Sequence, residues 1–276
     1  VNRPVLNRRA KVNSIDLNYH YSPQLKLTGN LINSIVDSEQ GYGFRVALDH
    51  TPNNSRTHNF KITYFDKKLD INDMGYMWRN DLMSIRSQSF FTQSDFKKES
   101  KVLSRTLMLF TNLRTTANGD KDSSFVGLAG FNMFKDTSGI EFESFYKPKG
   151  RDNLITRNYE FAPFVKRSEE FNVSLAYKSP AHKFFHYALV TQREKRELGY
   201  GNTYLARLTV IPSDTLSLTF AHRHQDKSGG LNWLQENLLG SYDQTQKTTL
   251  AELQWLKDNK HELRVKAQMV AFTARD

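Results

Sequence analysis

Apolar and polar residues alternate one by one through much of this chain, and that pattern constrains the fold more than any other feature. In the segment 15–21, Ile15 and Leu17 fall on one side and Asp16 falls on the other. A period of two residues is the mark of a β-strand with one apolar face. We therefore predict fourteen strands, which contain the segments 15–21, 25–31, 42–48, 60–64, 82–92, 102–113, 125–134, 140–146, 171–177, 185–189, 204–210, 216–220, 251–255 and 263–269.

The length and composition of the chain limit the classes of protein that such strands can build. The 276 residues contain no cysteine, which excludes disulfides, thiolate catalysis and cysteine-ligated zinc. No apolar run approaches the roughly 20 residues that a membrane-spanning helix needs. A transmembrane β-barrel exposes only alternate residues to lipid, so an apolar content of 38% does not exclude a membrane. No linker-like segment divides the chain, and we predict one domain over residues 1–276.

The predicted connections separate a membrane barrel from a soluble sheet. Short ones are expected at 22–24, 135–139, 178–183, 212–215 and 257–260, and long ones at 115–124, 147–170, 193–201 and 225–248. From the sixth strand onward the two kinds alternate, as do the periplasmic turns and outer loops of outer-membrane barrels. The fold class predicted is all-β, an antiparallel up-and-down transmembrane β-barrel with about fourteen strands visible. A soluble antiparallel sheet with one wet face is the alternative.

Arg105 does not fit the pattern of its strand, because it shares a face with Leu103 and Leu107. An arginine at the middle of a lipid-facing surface would cost roughly 2–4 kcal/mol. Either Arg105 lies near a rim of the barrel, or a β-bulge shifts the register of the strand there. The sequence leaves both readings open.

The densest polar and aromatic cluster lies at 70–81, between two alternating segments. Its spacing partly matches a calcium-binding loop, with Asp70, Asn72, Gly75 and Asp81 at positions 1, 3, 6 and 12. Met74 and Trp78 occupy two other ligand positions, and neither offers a side-chain oxygen. The other reading is a structural turn with glycine at positive φ and an arginine paired with a carboxylate. We favour that turn, with these motif residues: Asp70, Asn72, Asp73, Gly75, Arg79 and Asp81.

The same cluster, with Phe65 and Asp66 before it, resembles a family of uncharacterised Gram-negative proteins. Its members join a module like carbohydrate-binding family nine to a long C-terminal outer-membrane β-barrel. The segments 8–16 and 261–268 also resemble barrel strands of that family, and the likeness spans the whole chain. The resemblance implies a barrel fragment without the sugar-binding module, and it implies no established activity.

Charged residues fall on the polar side of the predicted strands. We expect these to face the lumen of the barrel: Arg45, Lys61, Arg86, Glu141, Glu143, Arg207, Glu252, Glu262, Arg264 and Lys266. A pair of acids in the lumen or at the outer rim would serve an outer-membrane hydrolase, and changing one acid, such as Glu143 or Glu252, would then abolish turnover. Mixed charge is also the ordinary filling of a barrel interior, and we expect no catalytic residue. His222 and His224 share one side of a strand, but a metal site needs three or four converging ligands, so we predict no metal and no cofactor.

The net charge of +10 indicates anionic neighbours. We expect outer-membrane lipid and lipopolysaccharide around the chain, with polysaccharide or an anionic solute as a further partner. Nucleic acid is not expected, because the basic residues are not gathered into one patch. The predicted function is an outer-membrane pore or surface scaffold for anionic or carbohydrate-like solutes. The alternatives are the hydrolase and a soluble periplasmic binding protein. We further expect a fragment whose first and last strands do not pair with each other.

Overall fold

The structure is a computed structural model that describes residues 2–3, 8–73, 77, 79–117, 119, 122–152, 155, 164–182, 184–235, 238–258 and 260–275. Its regular elements within these ranges are all β-strands. The strands are β1 (Asn2–Arg3), β2 (Arg8–Ser22), β3 (Leu25–Val36), β4 (Glu39–Asn53), β5 (Arg56–Phe65), β6 (Leu82–Gln93), β7 (Val102–Thr115), β8 (Phe125–Phe134), β9 (Gly139–Lys147), β10 (Gly150–Asp152), β11 (Val165–Arg167), β12 (Glu170–Lys178), β13 (Phe185–Lys195), β14 (Tyr200–Ser213), β15 (Leu216–Gln235), β16 (Leu238–Asp258) and β17 (His261–Arg275). Among the described residues, no helix is long and apolar enough to cross a membrane.

Each of the fourteen predicted segments forms a strand, and the all-β antiparallel prediction is confirmed. These fourteen strands, together with the short β1, follow one another in a single sheet order. The order is β1-β2-β3-β4-β5-β6-β7-β8-β9-β12-β13-β14-β15-β16-β17, and β10 pairs separately with β11. It begins at β1 and ends at β17, so the sheet that the described residues form is not closed.

The chain divides into two compact units. The first contains residues 1–92 and 108–127, and the second contains residues 93–107 and 128–276. The strands β7 and β8 are therefore shared, with one part of each strand in either unit.

In the first unit, the register places apolar residues side by side on one face of the sheet and polar residues side by side on the other. Across β2, β3, β4 and β5, the row Ile15, Leu31, Phe44 and Tyr64 is apolar. The adjacent row on the opposite face is polar and consists of Asp16, Asn30, Arg45, Thr63 and Ser84. We call these surfaces the apolar face and the polar face of the first unit. The large side chains of the apolar face are mostly exposed.

The second unit has the same two kinds of face. Its apolar face carries Tyr187, Leu208 and Phe220, which stand side by side on β13, β14 and β15. The neighbouring row on its polar face carries Thr209 and Thr219, and their hydroxyl oxygens are 3.0 Å apart. The threonines are buried while the apolar side chains are exposed. This is the reverse of the burial that a sheet in water would show.

The connections agree only in part with the expected alternation. The turns at 23–24, 135–138, 179–184, 214–215 and 259–260 are short, and the connections at 66–81, 116–124 and 148–169 are long. The prediction of long loops at 193–201 and 225–248 is wrong. Residues 196–199 form a tight turn, and β15 and β16 continue as a paired hairpin up to Gln235 and Leu238.

Arg105 lies near the start of β7. It is the fourth residue of β7, and it is exposed on the same side as Leu103. Its guanidinium lies 5.8 Å from the ring of Phe96, which belongs to the connection before β7. The Nε of Arg105 also donates a hydrogen bond to Oδ1 of Asn132, at 2.6 Å. The charge thus lies near a strand end and has polar and aromatic neighbours.

Candidate functional site

The connection 66–81 folds back over the polar face of the first unit. Its Leu69 is fully buried and packs with Ile32, Phe65 and Leu82 in a small apolar core. These residues come from β3, β5 and β6, so the connection covers three strands at one of their ends. Next to the residues that the connection covers, the same face of the sheet carries polar side chains.

Two glycines of β4 allow this close approach. A Cβ atom on Gly41 would lie 2.2 Å from the backbone nitrogen of Leu69. A Cβ atom on Gly43 would lie 2.6 Å from the ring of Phe65 and 2.7 Å from a methyl group of Leu69. No larger residue fits at either position without moving the covering connection.

The polar side chains of 66–81 are engaged by backbone groups. Oδ1 of Asp70 accepts hydrogen bonds from the backbone and the side-chain nitrogen of Asn72, each at 3.0 Å. Oδ1 of Asn72 accepts the N–H of Met77 at 3.0 Å, and Oδ1 of Asp81 accepts the N–H of Ala117 at 2.9 Å. These side-chain oxygens thus shape the turn. Asp73 lies in this turn, and Gly75 lies outside the described residues.

Arg79 belongs to a buried ion cluster with Asp122 and Arg114. Its Nη1 is 2.8 Å from Oδ2 of Asp122, and the two side chains are only 2% and 3% exposed. Arg114 donates to the same oxygen from Nη2 at 2.5 Å and from Nε at 3.0 Å. One carboxylate therefore joins the connection 66–81 to β7 and to the connection after β7.

Three cations of the polar face, Arg45, Lys61 and Arg86, lie beside this covered region. Lys61 and Arg86 stand directly opposite each other on β5 and β6. Arg45 lies one row away on β4, opposite Thr63. All three are exposed, and no carboxylate of the described residues forms an ion pair with any of them.

The guanidinium of Arg45 is held in place by an aromatic ring. Its central carbon lies 4.8 Å from the centre of the Phe65 ring, a cation–π distance. Since Phe65 is almost fully buried in the small core, the ring is a fixed support.

The predicted charges of the second unit are arranged differently. Glu252 stands opposite Lys266, and its carboxylate is 3.9 Å from Nε of Arg264. Arg264 also pairs with Glu262 at 2.9 Å. Opposite charges are thus interspersed on this part of the polar face.

The remaining predicted charges stand beside uncharged residues. Glu141 lies opposite Ala176, and Glu143 lies opposite Ser174. Arg207 is flanked by alanines on β13 and β15. The two acids named for a hydrolase, Glu143 and Glu252, lie on β9 and β16, which are separated in the sheet by β12 to β15.

The histidines have partners of other kinds. His222 is 3.0 Å from the hydroxyl of Thr249, and His224 is 2.5 Å from a carboxylate oxygen of Asp226. Over the described ranges, no group of three or more histidine, aspartate or glutamate residues is placed to hold a metal ion.

Sequence reasoning missed Asp122 and Arg114. Asp122 follows Arg79 by 43 residues and lies in a connection without alternation. The only signal was the expectation that Arg79 pairs with a carboxylate, and that expectation did not say which one.

Comparisons with known proteins place the chain in a family. The model of a domain of unknown function, DUF5916, matches residues 1–272, and the chain belongs to this family. No curated protein matches the chain. Among solved structures, the chain is similar to OmpT, an in-vitro folded outer membrane protein of Vibrio cholerae in its trimer form. That likeness has 11% sequence identity and a TM-score of 0.35, over 96% of this chain and 89% of the other.

Proposed function

We propose that this member of the DUF5916 family forms the wall of an outer-membrane β-barrel that serves as a pore or surface scaffold for polar, mainly anionic solutes. The observation that carries the proposal is the reversed burial of neighbouring residues on β14 and β15. Leu208 and Phe220 are 41% and 52% exposed, whereas Thr209 and Thr219, next to them in the chain, are each 8% exposed. Lipid chains are the surroundings in which exposed leucine and phenylalanine and covered threonine are both favourable.

The height of the apolar face in the second unit agrees with this environment. Trp255, with Leu216 and Leu263 as its strand partners, marks one limit, and Lys247 marks the other. The eight residue steps from Lys247 to Trp255 rise about 3.4 Å each, and a strand tilt of about 35–45° gives an apolar band of roughly 19–22 Å. The apolar band of outer-membrane barrels is about 25 Å tall.

The polar face supports the choice of solutes. In the first unit it carries three exposed cations that form no ion pair with a described carboxylate, and the whole chain has a net charge of +10. Positive charge along a polar surface attracts anions and raises their local concentration. A link to sugar-like solutes rests only on the carbohydrate-binding module that members of the resembled family carry, and it stays a prediction.

Fractionation tests the membrane part of this proposal. The native protein should sediment with outer membranes and require detergent for release. A matched pair of variants sharpens the test: Leu208→Arg places a charge on the apolar face, and Gln192→Arg places one on the polar face. The first should make the free energy of folding into lipid vesicles less favourable by about 2–4 kcal/mol, and the second should change that free energy little. Recovery of the native protein in the soluble periplasmic fraction would overturn the proposal.

Planar-bilayer recordings test the pore. Open channels with a reversal potential on the anion-selective side are expected from the intact protein in a salt gradient. A barrel that inserts but does not conduct leaves the surface-scaffold function and rejects the pore.

A further inference from the structure

We infer that Arg45, Lys61 and Arg86 form a binding site for phosphoryl groups on the polar face of the first unit. The inference deepens the proposed function by naming a solute class, and it rests on that function only for the route by which a solute arrives. Binding itself depends on the three side chains and is measurable separately.

The register brings the three side chains together. Lys61 and Arg86 are directly opposed, and side chains in that position are about 4.5–5.5 Å apart at Cβ. Arg45 lies diagonally from Lys61, because Arg45 pairs with Thr63 and Lys61 pairs with Ala47. A diagonal neighbour at about 7–8 Å is still within reach of a long side chain. The three charged ends can therefore meet around one small group.

This arrangement is unfavourable without a ligand. Like charges directly opposite each other destabilise an antiparallel pair. Both guanidinium groups repel the ammonium group of Lys61. An anion between the three side chains would turn this repulsion into attraction.

Nearby carboxylates of the same face do not neutralise the cations. Asp16 accepts a hydrogen bond from the amide of Asn30 at 2.5 Å, and Asp49 accepts one from the amide of Asn59 at 2.7 Å. Each carboxylate thus accepts a hydrogen bond from an uncharged amide, and Asp49 stands opposite Lys26 on its other side. The contrast with Glu252, Glu262 and Arg264 in the second unit shows that this sheet can also intersperse opposite charges.

The side chains suit a phosphoryl group in particular. Arginine presents a planar fork that matches phosphate oxygens, and lysine binds them as a point charge. Three cations balance the two negative charges of a phosphoryl group better than the one charge of a carboxylate.

Isothermal titration of the detergent-folded protein with pyrophosphate tests the site. Saturable binding is expected, and acetate at equal ionic strength should not reproduce it. Lys61→Gln or Arg86→Gln should weaken pyrophosphate binding about tenfold or more, because each removes a charged hydrogen-bond donor. Lys26→Gln is the matched control, since Lys26 lies on the same face but directly opposite Asp49. It should bind as the native protein does.

Two results would overturn the site. The first is an equal loss in Lys26→Gln and Lys61→Gln, which would indicate a diffuse field. The second is absence of saturable binding, or equally tight binding of acetate, in native protein whose folding is verified by its heat-dependent mobility on a gel. These failures are distinct from failure of the proposed function, since a protein without the site would still fractionate with outer membranes. A soluble protein that binds pyrophosphate would keep the site and reject the membrane.

Discussion

The buried ion cluster gives the sharpest prediction for stability, because one carboxylate serves two arginines. The substitution Asp122→Asn keeps the size of the side chain and removes its charge. Two guanidinium groups, those of Arg79 and Arg114, then lose their shared carboxylate. Removing one partner of a buried ion pair typically costs about 3–5 kcal/mol of unfolding free energy. The near-complete burial of Asp122 and Arg79 places this cluster in that class.

The same connection offers a matched control. Lys68 and Glu39 approach to 3.9 Å, but their side chains are 60% and 68% exposed. Glu39→Gln also removes one carboxylate charge, and it should cost less than about 1 kcal/mol since exposed pairs contribute little. Urea unfolding of protein folded in detergent micelles, followed by tryptophan fluorescence, gives both values.

The double variant Arg79→Met with Asp122→Asn adds a second check. It should cost less than the sum of the two single variants, because residues in one ion cluster are coupled. Equal costs for Asp122→Asn and Glu39→Gln, or strict additivity in the double variant, would refute the stabilising role of the cluster.

Three further predictions concern other parts of the chain. Gly41→Ala should lower the unfolding free energy by about 1–3 kcal/mol in the same urea assay, because the added Cβ would collide with the backbone of Leu69. It should also hasten protease cleavage of the connection 66–81. Unchanged stability would contradict this packing. The hydroxyl of Ser138, followed by its backbone N–H, holds the pKa of the Asp136 carboxyl below its usual 3.8. These hydrogen bonds therefore stabilise the folded protein above pH 3.8, and that stabilisation is lost as the pH falls through the lowered pKa. Ser138→Ala should raise the pKa of Asp136 toward 3.8 in a carbon-13 NMR titration, and no change would reject the hydroxyl as the main cause. Added calcium should leave the melting temperature unchanged, and a calcium-dependent rise that Asp70→Ala abolishes would instead support a calcium-binding loop.

The strands could be predicted where their two faces meet different surroundings. Alternation reports such a difference, as in the segment 204–210, where leucine and alanine alternate with arginine and threonine. Residues 225–248 have polar residues on both sides, so they lack alternation and were expected to form a loop. The described parts, 225–235 and 238–248, pair with each other nonetheless, because backbone hydrogen bonds between β15 and β16 require no apolar residue.

The site was less predictable than the strands. The motif 70–81 stood out from its composition, and its hydrogen bonds are mainly local, so a turn could be proposed from sequence. The partner of Arg79 could not, because Asp122 approaches it only when β6 and β7 bring distant connections together. The grouping of Arg45, Lys61 and Arg86 depends on the register of three strands, and alternation alone does not fix a register.

The reversed burial of the two faces also decides which substitutions the chain can accumulate during divergence. Fluid hydrocarbon has no fixed shape, so under the proposed function Leu208 and Phe220 can exchange with other apolar residues of any size. Thr209 and Thr219 touch each other on a covered surface, where an added methylene has to displace a neighbour. Homologues should therefore vary freely in shape on the exposed side of each strand and conserve small polar residues on the covered side, the opposite of the usual relation between exposure and variability.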